Sequence, residues 1–191
     1  MAGSNDIKQH FNEAHSVLEV FLSDDTNFDK IKIAGDYMLK SLNLEGRIFS
    51  CGNGGSMCDA MHFAEEMTGR FRNDRDAYPA VAIADPSHIT CVANDYGFDY
   101  IFSRYIQAHG KKGDTLLAIS TSGNSKNVLQ AVKEAKSLGM HVIALTGKDG
   151  GQLAAMADVE IRAPKSEYAD RVQEIHIKII HSLIDYIEKN R

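Results

Sequence analysis

The apolar positions of this chain change period along its length. Over residues 1–45 they recur at helical spacing, with Phe11, Ala14, Leu18 and Leu22 on one stripe and Phe28, Ile31, Ala34, Met38 and Leu42 on a second. Two leading helices are predicted, with Asp25 or Thr26 as N-cap of the second and Gly46 as its stop. From residue 46 to 191, short continuous apolar runs alternate with helical patterns. The runs predict strands over Arg47–Cys51, Ala80–Ala84, Thr115–Ser120, His141–Thr146 and Val159–Arg162. Helices are expected over Met57–Thr68, Pro86–Val92, Phe98–Ala108, Asn124–Leu138 and Gln152–Ala155, and the longest from Tyr168 to Glu188. Strands that are apolar throughout, separated by helices, imply a parallel sheet covered on both faces. The expected fold is therefore a doubly wound α/β sandwich formed by residues 1–191 as one domain, since no linker or low-complexity tract divides the chain. The leading pair of helices has two homes open to it, the chain's own sheet or another subunit.

Two of the predicted strands empty into similar turns. Arg47-Ile48-Phe49-Ser50 runs into Cys51-Gly52-Asn53-Gly54-Gly55-Ser56, and Leu116-Leu117-Ala118-Ile119 into Ser120-Thr121-Ser122-Gly123-Asn124-Ser125. A small, hydroxyl- and glycine-rich turn opening a helix presents free backbone N–H groups at the positive end of the helix dipole. In a doubly wound sheet such turns sit beyond the carboxyl ends of the strands, where ligands bind. A pair of them points to a phosphorylated, polyhydroxylated molecule held at several points.

Composition narrows the partners. The hydrophobic content of 43% and charged content of 25% are those of an ordinary globular protein. The net charge of −5 and pI near 5.9 argue against a general nucleic-acid binder, and Lys111-Lys112 reads as a solvated loop. Three cysteines without CxxC spacing support neither a disulfide framework nor a Cys-based zinc site, and Cys51 and Cys58 are expected as small core fillers. No apolar stretch reaches membrane-spanning length and no signal-peptide pattern opens the chain, so a soluble cytoplasmic protein is expected.

The helix after the first turn carries His62 and Glu66, four residues apart and so on one face. Imidazole and carboxylate at that spacing suit a divalent metal, and equally a solvated helix surface. In the last helix Gln173, His176 and His181 interrupt an apolar run. His176, a turn before Ile180, is expected as a core histidine with a satisfied hydrogen bond. Gln173 and His181 are turned by about 80° around the axis and lie at two levels; spacing alone does not choose between His176 and His181. Asn94-Asp95 precedes Tyr96-Gly97 and reads either as turn chemistry or as a contact to sugar hydroxyls. Arg70 has a phosphate or a neighbouring acid as its alternatives, and Asp170 a helix cap or a ligand contact. His88, His109 and His141 show no partner pattern.

The segments CGNGGSMCDAMHFAEEMTGRF, AIADPSHITCVANDYGF, LLAISTSGNSKNV, VIALTGKDGG and YADRVQEIHIKIIHSLI together resemble the phosphoheptose isomerases of the sugar isomerase (SIS) domain family. The resemblance covers nearly the whole chain. It implies a flavodoxin-like three-layer α/β/α sandwich with a five-stranded parallel sheet, residues 46–191 forming the core and residues 1–45 contributing to oligomer packing. It also implies a cytoplasmic homotetramer with active sites at subunit interfaces, converting D-sedoheptulose 7-phosphate to D-glycero-D-manno-heptose 7-phosphate in lipopolysaccharide heptose synthesis. Carried over by position, one zinc ion per subunit falls on His62, Glu66, Gln173 and His181. The sugar phosphate falls on Asn53, Gly54, Gly55, Glu66, Asn94, Asp95, Ser120, Thr121, Ser122, Ser125 and Gln173. Glu66 and His181 carry the acid–base chemistry. The alternatives within the same fold are a non-catalytic adaptor that binds the replication initiator DnaA and another sugar-phosphate isomerase or sensor.

Overall fold

Burial explains the apolar runs. In the computed structural model, which describes residues 3–191, strands β1 (Ile48–Cys51) and β3 (Thr115–Ser120) are buried at every position. Strand β4 (His141–Thr146) is buried at all but its first residue. Only a strand covered on both faces needs apolar side chains on both. The edges are β2 (Ala80–Ala82) and β5 (Val159–Arg162), and β5 alternates buried and half-buried residues. All pairings are parallel in the order β2-β1-β3-β4-β5, with Ile48 beside Ala80 and Thr115, Thr115 beside His141, and Ile143 beside Val159.

Successive residues of β3 serve opposite layers. Leu117 and Ile119 join Met38, Phe63, Met67, Leu183 and Ile184 on one face, below helices α2 (Thr26–Asn43), α3 (Gly55–Thr68) and α8 (Ala169–Asn190). Leu116 and Ala118 join Phe102, Ile106, Val128 and Val132 on the other, below α4 (Pro86–Asp95), α5 (Ile101–His109), α6 (Lys126–Ser137) and α7 (Gly151–Met156). The result is the expected three-layer α/β/α sandwich with a five-stranded parallel sheet.

The leading helices divide between their two homes. Helix α2 buries Ile31, Ala34, Met38 and Leu42 against the chain's own core. Helix α1 (Ser4–Leu22) buries only Phe21, while Ile7 and Phe11 are 62% and 73% exposed.

Several local expectations are corrected. Asp25 is the N-cap residue of α2, as expected, but its side chain makes no capping bond; Asp24 accepts instead, from the N–H of Thr26 at 3.0 Å and its hydroxyl at 2.7 Å. The left-handed residue ending α2 is Glu45, with Gly46 donating its N–H to Ser41 O. Helix α4 runs on to Asp95, and Phe98–Tyr100 forms a 3-10 turn ahead of α5. The N-cap residue of α8 is Tyr168, while Asp170 in the first turn accepts the Arg171 N–H at 2.8 Å and pairs with the Arg171 guanidinium at 3.1 Å. Cys51 is buried, its thiol pushed up to about 12 by burial, whereas Cys58 is exposed and fills no core.

His176 is the core histidine expected. It is fully buried, its Nε2–H donates to Thr146 O at 2.8 Å, and burial pushes its pKa down to about 4. Between about 4 and the ordinary value near 6.5 the unfolded chain binds the proton and the folded chain does not, so this group withdraws stability as pH falls. Replacement by Gln removes the titration while keeping an amide donor. In urea unfolding at fixed protein concentration, the stability difference between wild type and His176→Gln should therefore narrow by about 2 kcal/mol from pH 7 to pH 4.5. A constant difference across that range would show that His176 is not held neutral.

Candidate active site

The order of the strands reverses between β1 and β3, and the two glycine- and serine-rich turns leave the carboxyl ends of those two strands. This is the switch point where a doubly wound sheet opens a crevice. In the first turn Gly54 adopts a positive φ of 56°, conformational space that favours glycine, and Ser56 and Met57 donate backbone N–H groups back to Asn53 and Gly54. Gly54 and Gly55 are exposed and Asn53 is half-buried. A side chain at Gly55 would collide with the Gln173 amide, so α8 approaches the start of α3 at this level.

The second turn gathers hydroxyls. Ser120 Oγ lies 3.0 Å from Ser125 Oγ and 3.5 Å from Ser122 Oγ. Ser125 is the N-cap of α6, yet its hydroxyl makes no capping bond. The opening N–H groups of a helix have no intrahelical partner and carry its positive partial charge, so an anion in this turn meets N–H and O–H donors together. Gly123, at φ 64°, is pressed against the Gly150 carbonyl where no Cβ fits. Its own carbonyl accepts the Leu153 N–H at 3.0 Å, which braces the turn on α7.

A second group of predicted residues meets where α3 and α8 lie side by side. His62 Nε2 and His181 Nε2 are 3.0 Å apart, with a Glu66 carboxylate oxygen 3.6 Å from His62 Nε2. His62 Nδ1 lies 3.2 Å from Glu65. At 3.0 Å one of the two facing Nε2 atoms donates to the other, and a carboxylate stands near each ring nitrogen of His62. Partial burial, and then His62, hold the pKa of His181 below the ordinary histidine value, against the pull of Glu66. Phe71 covers the His181 ring at a centroid distance of 5.5 Å. Two imidazole nitrogens and a carboxylate oxygen within this space form a donor set that suits zinc, and His62, Glu65 and Glu66 also satisfy the geometry of a metal-holding group. Gln173 lies about 12 Å up the helix axis from His181, at the level of Gly55.

The remaining predicted residues sit apart. Asn94 and Asp95 are exposed at the end of α4, where Asn94 Nδ2 donates to Asp95 at 2.8 Å and the Cys91 thiol points to Asp95 at 3.6 Å. Arg70 is exposed just beyond α3. His88 bonds the Ile101 carbonyl, while His109 and His141 lie beside Tyr105 and Tyr37.

Pattern reading missed four residues around the site. Glu65 stands 3.2 Å from His62 Nδ1. Asn127 pairs with Asn53 across the crevice. Asp59, a turn before His62, is buried with one oxygen unpartnered, and burial pushes it up to about 6. Arg75 donates to the carbonyls of Glu66, Met67 and Gly69 at the end of α3 and pairs with Glu188 of α8 at 2.8 Å. Glu65 alone carried a signal in the sequence, an acid at i+3 from His62.

Known proteins resemble the chain along almost its full length. Residues 9–147 match the SIS domain family. Phosphoheptose isomerases from Aeromonas hydrophila and Vibrio cholerae are each 58% identical to it over 183 residues, covering 96% of this chain and 95% and 96% of theirs. Solved structures of phosphoheptose isomerases from Neisseria gonorrhoeae and Francisella tularensis superpose with TM-scores of 0.90 and 0.91, at 43% and 36% identity. These cover 97% and 99% of this chain and 98% and 100% of those. With this fold, these turns and this cluster of histidines and carboxylates, the chain belongs to the phosphoheptose isomerase family of SIS-domain proteins.

Proposed function

We propose that the chain is an aldose–ketose isomerase that converts D-sedoheptulose 7-phosphate to D-glycero-D-manno-heptose 7-phosphate, the step that opens lipopolysaccharide heptose synthesis in the cytoplasm. The observation that carries this reading is the convergence of His62, Glu66 and His181 beside a crevice that offers anion-binding turns. A non-catalytic adaptor has no use for such a centre, and the relatives at 58% identity bear the isomerase name.

The phosphate sits in the Ser120–Ser125 turn, held by the hydroxyls of Ser120, Thr121, Ser122 and Ser125 and by backbone N–H groups of α6. Asn53, Gly54 and Gly55 line the sugar from the first turn, with Gln173 above them and Asn94 and Asp95 reaching the hydroxyls. Anchoring the phosphate fixes the reacting carbons and supplies orientation before chemistry begins. Glu66 removes a proton from C1 of the ketose, leaving an ene-diol, and the proton returns to C2 to form the aldose. His181 carries the accompanying proton from O1 to O2. His62, Glu66 and His181 would hold a zinc ion, with Gln173 having to turn from Gly55 toward them to complete the set, and the ion when bound would polarise the carbonyl oxygen. The exposed apolar stripe of α1 supports assembly into a homotetramer with active sites at the interfaces.

The direct test is incubation with sedoheptulose 7-phosphate, before and after chelation and after zinc is restored. Heptose 7-phosphate should form, fall on chelation and recover with zinc; absence of product under all conditions would overturn the reading. Glu66→Gln and His181→Gln should each lower kcat by about a hundredfold or more, the range for a lost acid or base. Full turnover in either variant would reject the assigned roles. Ser120→Ala combined with Ser125→Ala should act on KM rather than kcat, and an unchanged KM would move the phosphate out of the second turn.

A further inference from the structure

The two turns are joined by a reciprocal pair of side-chain amides. Asn53 Nδ2 donates to Asn127 Oδ1 at 2.9 Å, and Asn127 Nδ2 donates to Asn53 Oδ1 at 2.8 Å. The residues are 74 apart in the chain, one in the turn after β1 and the other in the first turn of α6, so the pair crosses the point where strand order reverses. Asn127 is only 2% exposed, and its Oδ1 also accepts the Val128 N–H at 3.0 Å. Its amide is therefore pinned on both sides, with oxygen and nitrogen ends assigned.

We propose that Asn127 is a positioning residue that acts through Asn53, fixing the sugar-facing turn relative to the phosphate-holding turn. The proposal rests on the sugar-phosphate reading of this crevice. A primary amide has two N–H donors and two acceptor lone pairs. The Asn127 bond uses one of each on Asn53 and prevents its amide from flipping. What remains on the half-buried Asn53 is one N–H and one lone pair, the complement of a hydroxyl that both donates and accepts. Asn127 is too buried to meet the ligand, so its influence passes through the orientation of Asn53 and the spacing of the turns. A ligand gripped by both turns senses that spacing along its whole length, whereas free phosphate senses only the second turn.

The test is a double-mutant cycle on Asn53→Ala, Asn127→Ala and the pair. For each protein, KM and kcat for sedoheptulose 7-phosphate, its Kd by calorimetry, zinc affinity and Tm are measured. Asn127→Ala should raise KM and Kd about tenfold, the scale of one well-formed hydrogen bond. Zinc affinity should be unchanged. The double variant should be no weaker than Asn53→Ala alone, because the two residues act as one unit. Multiplying effects, or a loss of Tm and kcat with KM and Kd unmoved, would make Asn127 merely structural and overturn the proposal. Should Asn127→Ala fail to fold, Asn127→Asp keeps both acceptor bonds and favours the helix N-terminus while losing the donation to Asn53. Its effect on Kd should vanish in the Asn53→Ala background, and persistence there would reject the coupling. A wild-type protein that binds the sugar phosphate without isomerising it would end the isomerase reading, while the Kd cycle still decides the role of Asn127. A wild-type protein that binds no sugar phosphate ends both.

Discussion

One guanidinium ties together the two helices on which His62, Glu66 and His181 meet. Arg75 lies past the end of α3, in a polar loop, and its N–H groups take the carbonyls of Glu66, Met67 and Gly69 that the helix leaves unpaired. Its Nε–H donates to Glu188 near the end of α8, and both side chains are largely buried. Breaking such a pair strands a charge in a dry place and costs more than the pair contributes, which makes the arrangement all-or-none. The end of α3 that bears Glu66 is thereby fixed to the helix that bears His181. The acid–base roles proposed for Glu66 and His181, on two separate helices, require that their relative position be set to a fraction of an ångström.

The other half of the site depends on the sheet. Reversal of strand order between β1 and β3 parts the helices that follow, since α3 crosses one face and α6 the other. Two turns that would otherwise be buried are thus left open side by side. The sequence at each turn exploits this by withholding the usual cap. Ser125 directs its hydroxyl toward Ser120 instead of its own helix, so the Lys126 and Asn127 N–H groups remain available to an anion, the Val128 N–H being taken by Asn127 Oδ1.

The architecture was readable because burial on both faces of β1, β3 and β4 writes itself as uninterrupted apolar runs, and glycine marks the turns that follow. Spacing found His62 and Glu66 because both lie on one helix. It did not separate His176 from His181, because both interrupt the same apolar run. The structure divides them by rotation, His176 turning to the Thr146 carbonyl beneath the sheet-facing stripe and His181 to His62. Asn127 and Arg75 were invisible for a different reason. Their partners lie 74 and 113 residues away, and an asparagine in a helix or an arginine in a polar loop is unremarkable until the fold supplies those partners. Asn94 and Asp95 read as a turn because Gly97 follows them, yet the preceding helical turn absorbs both.

The tautomers at the histidine pair connect the site's geometry to its chemistry. Glu65 lies 3.2 Å from His62 Nδ1, and His62 Nε2 faces His181 Nε2 at 3.0 Å. One of the two must present N–H to the other, because two facing lone pairs at that distance would repel. That shared proton occupies the place where a cation would lie, between two imidazoles and Glu66. Holding a divalent ion there would need both Nε2 lone pairs, and a neutral imidazole frees its own by moving the ring proton to Nδ1. A cation held at that point would be favoured by carboxylates already in place. Glu65 and Glu66, on successive positions of one helix, hold that negative charge on either side of His62.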